Sequence, residues 1–183
     1  MILASGSPQR RAILEGLGIA FEVVVSGVEE IDEGSGEAVA LENARRKAGA
    51  VADQRPEELV LGVDTVVSLD GRLYGKPADR PEAERTLRAL AAREHRVISG
   101  ICLMGSGQAR QATVVTSVSF RPLEDARLAW YLDSEEWRGR AGGYAIQGRG
   151  AVLVASIHGD YLNVVGLPMN ALLDLEPGLL RQG

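Results

Sequence analysis

A carboxylate lies inside one of the most apolar stretches of the sequence. Asp64 is surrounded by the near-continuous apolar run of residues 59–69, which is typical of a buried strand. Because burial of an unpaired carboxylate is costly, Asp64 requires a charged partner, a metal or a water molecule. An ion pair at a strand end is the structural alternative. We expect a functional carboxylate at an interruption of the strand, with the hydroxyl of Thr65 beside it.

Residues 5–8, Ser-Gly-Ser-Pro, stand between a short apolar run and the first helical pattern. Ser7 is a suitable N-cap, and the proline after it suits the first helical position. The free backbone N–H groups of such a helix start, together with the hydroxyls of Ser5 and Ser7, form a site for an anion. Arg10 falls on the inward face of the helix and Gln9 does not, so Arg10 adds a cation suited to a polyphosphate. The alternative is an ordinary capped helix with a snorkelling arginine.

Four carboxylates occur within five positions of an apparent loop, at Glu29, Glu30, Asp32 and Glu33. Their oxygens suit a hard divalent cation that also bridges substrate phosphates. The alternative is a solvated acidic loop, which is the commoner role of a run of charges.

Only two of the 20 basic residues are lysines, and both lie within motifs. Lys47 flanks the apolar stripe of an alanine-rich helix, whereas Arg45 and Arg46 project to the opposite side. Lys76 lies in Gly-Lys-Pro, which fails as a P-loop because the glycine spacing is one residue short and proline replaces the required Ser or Thr. Lys76 can still bind phosphate. For Lys47, a snorkelling side chain is the alternative.

A glycine-rich segment at residues 139–150 allows close approach of the backbone to a ligand. Within it, Gln147 carries a donor and an acceptor that can read the edge of a base, although the composition is equally typical of a flexible surface loop. His95 and His158 lie far apart in the sequence, without a companion cysteine or an evident nucleophilic serine. They therefore indicate no catalytic triad.

The elements that position these residues follow from hydrophobic periodicity and turn signals. Strands are predicted at residues 1–5, 21–25, 59–69, 96–104, 112–120, 151–157 and 161–165, and helices at 8–17, 37–54, 79–91, 123–132 and 167–175. Strands and helices alternate at first, but hairpin-like neighbours occupy the middle of the chain. We therefore expect an α/β domain with a mixed β-sheet flanked by helices, not a purely parallel doubly wound sheet.

Length and composition limit the functional classes. The 183 residues suit one domain, residues 1–183, and the formal charge of −5 disfavours stable nucleic-acid binding. The single cysteine, Cys102, excludes an internal disulfide and a cysteine-rich zinc site, and it fits a reducing cytoplasm. No apolar stretch is long enough to span a membrane, so we expect neither a membrane anchor nor export.

Seven motifs follow one another along nearly the whole chain. They are LASGSPQRR at 3–11, VEE at 28–30, KA at 47–48, LGVDTVV at 61–67, GKP at 75–77, AGGYAIQG at 141–148, and GDY at 159–161 with VGLP at 165–168. In this order and spacing they resemble the Maf family of nucleoside triphosphate pyrophosphatases, once described as septum formation inhibitors.

The resemblance implies an elongated mixed-sheet fold like that of inosine triphosphatases, with two lobes and a cleft, commonly as a homodimer. It implies hydrolysis between the α- and β-phosphates with a divalent metal, Mg²⁺ or Mn²⁺. By position, Asp64 matches the proton acceptor, while Glu29, Lys47 and Lys76 match the metal and phosphate residues. General principles agree, since a carboxylate can activate water and lysines can neutralise charge on phosphate.

The resemblance also bears on the substrate. Thr65 and Gln147 match the branch that hydrolyses dTTP and UTP, with modified pyrimidine triphosphates as further candidates. Gln9 departs from that branch, which usually has arginine there. The alternatives are a pyrophosphatase acting on 7-methyl-GTP or another modified nucleotide, and a non-catalytic nucleotide-binding regulator of cell division.

Overall fold

The computed structural model describes residues 1–181, so the last two residues of the expected domain 1–183 lie outside the described part. Helices are α1 (Pro8–Gly16), α2 (Gly36–Ala52), α3 (Arg80–Leu90), α4 (Asp125–Asp133), α5 (Tyr161–Val165) and α6 (Met169–Leu175). Strands are β1 (Ile2–Leu3), β2 (Glu22–Val23), β3 (Val60–Leu69), β4 (Arg72–Tyr74), β5 (Glu94–Gly105), β6 (Gln108–Phe120) and β7 (Val154–His158). Short 3₁₀ helices cover Ala141–Gly143, Arg149–Leu153 and Leu179–Arg181.

All seven strands belong to one mixed sheet in the order β2-β1-β3-β5-β6-β7, with β4 paired to β3. The pairs of β1 with β2 and β3 are parallel, and the other pairs are antiparallel. The predicted mixed α/β fold is therefore confirmed. Three apolar clusters form its core around the sheet and the helices that flank it. None of the helices in the described residues is long and apolar enough to cross a membrane.

The prediction of a strand at residues 161–165 was wrong, because this segment is helix α5. The carboxylate of Asp160 accepts hydrogen bonds from the backbone N–H groups of Leu162 at 2.8 Å and Asn163 at 3.2 Å. This N-cap satisfies groups that a helix start otherwise leaves free, and it outweighs the strand preference of the tyrosine and valines. Strand β7 begins only at Val154, since Arg149–Leu153 is 3₁₀ helix.

Strand β3 is continuous through Asp64 and Thr65, so the predicted interruption of this strand was also wrong. The interruption lies in its neighbours along one edge. Strand β1 pairs with β3 only as far as Leu61, and β4 pairs with it only from Val67 onward. Within the described chain, no strand covers this edge between those two residues, and the gap opens a cleft beside Asp64.

Two glycines bring helix α2 close to the sheet. A Cβ at Gly62 would lie 2.1 Å from the carbonyl oxygen of Ala44, and a Cβ at Gly100 would lie 2.4 Å from that of Ala40. Any larger residue would push the helix away, because real Cβ atoms do not approach backbone this closely. Gly100 pairs directly with Asp64 across β3 and β5. The close approach therefore allows polar side chains of α2 to reach this carboxylate.

Candidate active site

A cleft of about 430 Å³ lies at the gap along β3, a volume within the range of small-molecule sites. It is lined by residues before and within the first turn of α1, by the segment that follows β2, by α2, by the middle of β3, by Lys76 after β4, by residues 139–141 with Tyr144, and by the end of α5. Elements that are distant in sequence therefore meet at the uncovered edge of β3.

The carboxylate of Asp64 lies at the floor of this cleft in a charged cluster. Nζ of Lys47 lies 2.7 Å from Oδ1 of Asp64 and 2.6 Å from Oε1 of Glu30. Asp64 and Lys47 are buried, whereas the side chain of Glu30 is about half exposed. The structure thus supplies the charged partner that the sequence required for Asp64, and that partner also holds an acidic residue of the loop.

Asn43 completes the environment of Asp64, although it was not among the site residues predicted from the sequence. Its side-chain amide donates to Oδ2 of Asp64 at 3.1 Å and to the carbonyl of Ile31 at 2.9 Å. Its Oδ1 accepts from the backbone N–H of Ile31 at 2.8 Å. Asn43 lies four residues before Lys47 on α2, so helical spacing alone could have placed both residues on the same face.

The start of α1 forms one wall of the cleft, and its N-cap is the serine that the motif predicted. Ser7 is the N-cap, and its hydroxyl oxygen accepts from the backbone N–H of Arg10 at 3.5 Å. The hydroxyl of Ser7 donates to the side-chain oxygen of Gln9 at 3.0 Å, and the hydroxyl of Ser5 accepts from Nη1 of Arg10 at 2.8 Å. All four residues line the cleft at the positive end of the helix dipole.

Arg10 is a buried cation held by neutral acceptors. Its Nε donates to the carbonyl of Gly166 at 2.9 Å, and its Nη2 donates to the hydroxyl of Thr65 at 3.2 Å. Thr65 also shares a 2.8 Å hydrogen bond with the buried hydroxyl of Ser99, another residue that the sequence analysis missed. Burial lowers the pKa of Arg10, and the charges of Asp64 and Glu30 oppose that shift. Among the described residues Arg10 forms no ion pair, which favours an anionic ligand beside it.

Two further cations line the cleft. Lys76 is exposed where the segment after β4 reaches the opening. Arg140 precedes the 3₁₀ turn Ala141–Gly143, and its buried Nε has no hydrogen-bond partner within the described chain. Burial lowers the pKa of Arg140. The sequence alone does not indicate this arginine, since the glycine-rich segment around it has no periodicity that shows where a side chain points.

The structure does not bring two of the predicted site residues into the cleft. Glu29 is exposed outside the lining, and its neighbour Glu30 faces the site instead. Gln147 is exposed and lies outside the lining, on a loop whose backbone N–H groups at Arg149 and Gly150 donate to Glu136. Both assignments stay predictions, and both require a side chain or a loop to change position when a ligand binds.

The donor set at the floor of the cleft is compatible with Mg²⁺ or Mn²⁺. Asp64 and Glu30 present carboxylate oxygens to one cation, the ammonium group of Lys47, which lies between them. Within residues 1–181, no group of three or more His, Cys, Asp or Glu side chains is arranged to hold a metal ion alone. Mg²⁺ is commonly bound by one or two carboxylates with water and substrate phosphates, so these residues fit a metal that arrives with its substrate.

Comparison with known proteins identifies the family of the chain. The family described as "Maf-like protein" matches residues 1–176. The chain is 41% identical over 179 residues to a dTTP/UTP pyrophosphatase of Pyrococcus furiosus, covering 96% of this chain and 93% of the relative. It is 44% identical over 177 residues to one of Symbiobacterium thermophilum, covering 96% and 91%. It is 43% identical over 179 residues to one of Deinococcus radiodurans, covering 97% and 92%.

Proposed function

The chain belongs to the Maf-like protein family, and from that premise we propose that it is a nucleoside triphosphate pyrophosphatase acting on dTTP and UTP. The products are the nucleoside monophosphate and pyrophosphate. Modified pyrimidine triphosphates are further candidate substrates. The shared name of relatives that align over nearly the whole chain supports this activity.

The observation that carries the proposal is that two groups of opposite charge line the same cleft. The first group is the Asp64 carboxylate, and the second is the amino end of α1 with the buried Arg10; both line the cleft. A polyphosphate suits the second group because helix N-termini and arginines bind phosphate oxygens. A carboxylate suits the first because it can take a proton from the attacking water.

Four charged residues of the cleft have the following roles in this proposal. Asp64 is the general base, and lone pairs remain on both its oxygens beyond the bonds to Lys47 and Asn43. As water attacks phosphorus, the bond to the bridging oxygen breaks and pyrophosphate leaves with the bonding electrons. Lys47, Lys76 and Arg10 bind the phosphate oxygens and neutralise the negative charge that develops on them.

We propose that Asp64 holds Mg²⁺ or Mn²⁺ together with a carboxylate of the acidic loop, either Glu29 or Glu30. The position of Glu30 in the cleft lining favours Glu30. A divalent cation there would add positive charge at the phosphates and orient them.

Recognition of the base is proposed to involve Thr65, Gln9 and Gln147. Thr65 and Gln9 line the cleft, which supports their roles. Gln147 can contact a bound base only if the loop at residues 145–150 moves, since its side chain lies outside the lining. The departure at Gln9 leaves 7-methyl-GTP as the main alternative substrate.

The test is turnover by the purified protein with Mg²⁺ or Mn²⁺ and a panel that contains dTTP, UTP, CTP, ATP, GTP and 7-methyl-GTP. We expect monophosphate and pyrophosphate in equal amounts, with the highest kcat/KM for dTTP and UTP. Preference for 7-methyl-GTP would reassign the substrate. Saturable nucleotide binding without turnover would instead support the non-catalytic regulator.

Two further expectations complete the proposal. The family resemblance supports a homodimer, which light scattering after size-exclusion chromatography would test. The single cysteine, Cys102, is a buried free thiol, and this supports a location in the reducing cytoplasm. Fractionation of cells that express the full chain would test the location.

A further inference from the structure

Asn43 occupies the point where helix α2, strand β3 and the acidic loop at residues 28–33 meet. Its side chain is 1% exposed, and every polar atom of its amide is used. One N–H donates to Asp64, the other donates to the carbonyl of Ile31, and the oxygen accepts from the N–H of Ile31. The same side chain therefore holds the carboxylate and the loop.

Only a primary amide can make this set of bonds. An aspartate lacks both donors, and a leucine of similar volume lacks all polar atoms. The acidic loop has no regular secondary structure, so its backbone groups at Ile31 depend on Asn43 for partners. This two-sided pairing distinguishes Asn43 from a buried polar residue that merely satisfies its own hydrogen bonds.

We propose that Asn43 is a positioning residue that couples the orientation of the Asp64 carboxylate to the docking of the acidic loop. The inference rests on the proposed function, in which Asp64 acts on water and the loop supplies a carboxylate. Asn43 touches neither substrate nor water in this scheme. It acts through Asp64 Oδ2, and it places Glu30, one residue before Ile31, beside Lys47.

Lys47 cannot perform this role alone. Its ammonium group pairs with Asp64 Oδ1 and Glu30 through charge, and a lysine stem allows several directions of approach. The planar amide of Asn43 binds the other oxygen of Asp64 and two backbone atoms of the loop, which restricts both in direction. Loss of Asn43 should therefore release the loop even while Lys47 is present.

The first test is hydrogen exchange of the full-length protein without nucleotide or metal. In Asn43→Leu, the amide of Ile31 should exchange about tenfold faster or more than in the wild type, because its acceptor is lost. Asn43→Asp keeps an acceptor for that amide and should give intermediate exchange. Val51→Ala removes buried apolar volume from the same helix and is the control for general destabilisation, with no selective change at residue 31.

The second test is steady-state kinetics with dTTP and saturating metal. We expect kcat to fall about tenfold or more in Asn43→Leu and Asn43→Asp while KM changes less than about threefold, since a misdirected base impairs the chemical step. Val51→Ala should keep its kcat at a temperature where it is folded. Unchanged exchange at Ile31, or a kcat within twofold of the wild type in both Asn43 variants, would overturn the proposal.

The two tests separate this inference from the proposed function. If the wild-type protein hydrolyses no nucleoside triphosphate, the proposed activity fails, and the exchange of Ile31 still decides whether Asn43 fastens the loop. If Asn43→Leu does not fold, Asn43→Asp, which is closest in size to asparagine, supplies both measurements.

Discussion

The ammonium nitrogen of Lys47 lies 2.7 Å from Oδ1 of Asp64, and both side chains are at most 10% exposed. Burying such a pair costs desolvation energy that its Coulombic attraction offsets only in part, so the pair adds little to stability. It does hold the carboxylate in place beside the cleft. Its position, at the uncovered edge of β3, fits a catalytic role better than a structural one.

Removal of the charge at Asp64 should abolish turnover without unfolding the protein. In Asp64→Asn, we expect kcat for dTTP to fall by about 100- to 10,000-fold, which is the usual contribution of a general base. Pyrophosphate release and circular dichroism would be measured together. Asp53→Asn, at the exposed end of α2, is the matched control and should keep wild-type kcat. A folded Asp64→Asn protein with near wild-type turnover would refute the mechanism.

The two neighbouring glutamates of the acidic loop should differ in their effect on metal dependence. Glu30 lies in the cleft beside Lys47 and Glu29 lies outside it, so Glu30→Gln should raise the Mn²⁺ concentration needed for half-maximal activity by about tenfold. Glu29→Gln should leave it within about twofold of the wild type. The measurement is a metal titration at fixed dTTP. The opposite ranking would assign the loop carboxylate of the site to Glu29.

Loss of the cation at Lys76 should weaken substrate binding. Lys76→Met should raise KM for dTTP about tenfold, because a charge-assisted bond to phosphate is lost. Arg85→Gln removes an exposed cation of α3 that does not line the cleft, and it should leave KM unchanged. Initial rates across a range of dTTP concentrations would measure both. Equal KM values in the two variants would remove Lys76 from the phosphate site.

The hydroxyl of Thr65 should contribute more to kcat/KM than its methyl group does. In Thr65→Val, Arg10 and Ser99 lose a hydrogen-bond partner, so kcat/KM for dTTP and UTP should fall about 10- to 100-fold. Thr65→Ser retains the hydroxyl and should stay within about threefold of the wild type. Competition between dTTP and 7-methyl-GTP would show whether discrimination changes as well. If Val and Ser variants behave alike, the hydroxyl has no such role.

Burial of His95 should make stability depend on pH. Burial lowers the pKa of His95 from 6.5 to about 4, while its Nε2 lies 2.9 Å from the hydroxyl oxygen of Tyr144. The unfolded chain then binds a proton at a higher pH than the folded chain. The free energy of unfolding should therefore decrease as pH falls from 6.5 towards 4, by about 3 kcal/mol in total from this residue.

Urea unfolding at several pH values would measure that contribution. His95→Gln should remove it, so the difference in unfolding free energy between pH 7 and pH 4 should be smaller in the variant. His158→Gln changes an exposed histidine and should keep the wild-type dependence. Identical pH dependence in the wild type and His95→Gln would contradict the prediction.

Much of the fold could be predicted because its signals are local. The serine cap before Pro8 and the apolar run that contains Asp64 each depend on neighbouring residues, and the structure has a helix and a strand there. The segment at residues 161–165 was misjudged because a short apolar run suits helix and strand alike, and the cap at Asp160 decided between them.

The sequence by itself determined which residue types could bind phosphate and accept a proton, and in which order they follow along the chain. Tertiary structure alone decided which of them meet. The placement of Glu30, and not Glu29, beside Lys47 depends on the path of an irregular loop, and the contact of Asn43 with Asp64 depends on the close packing of α2 against Gly62. Such contacts join residues far apart in sequence, and helix or strand periodicity does not encode them.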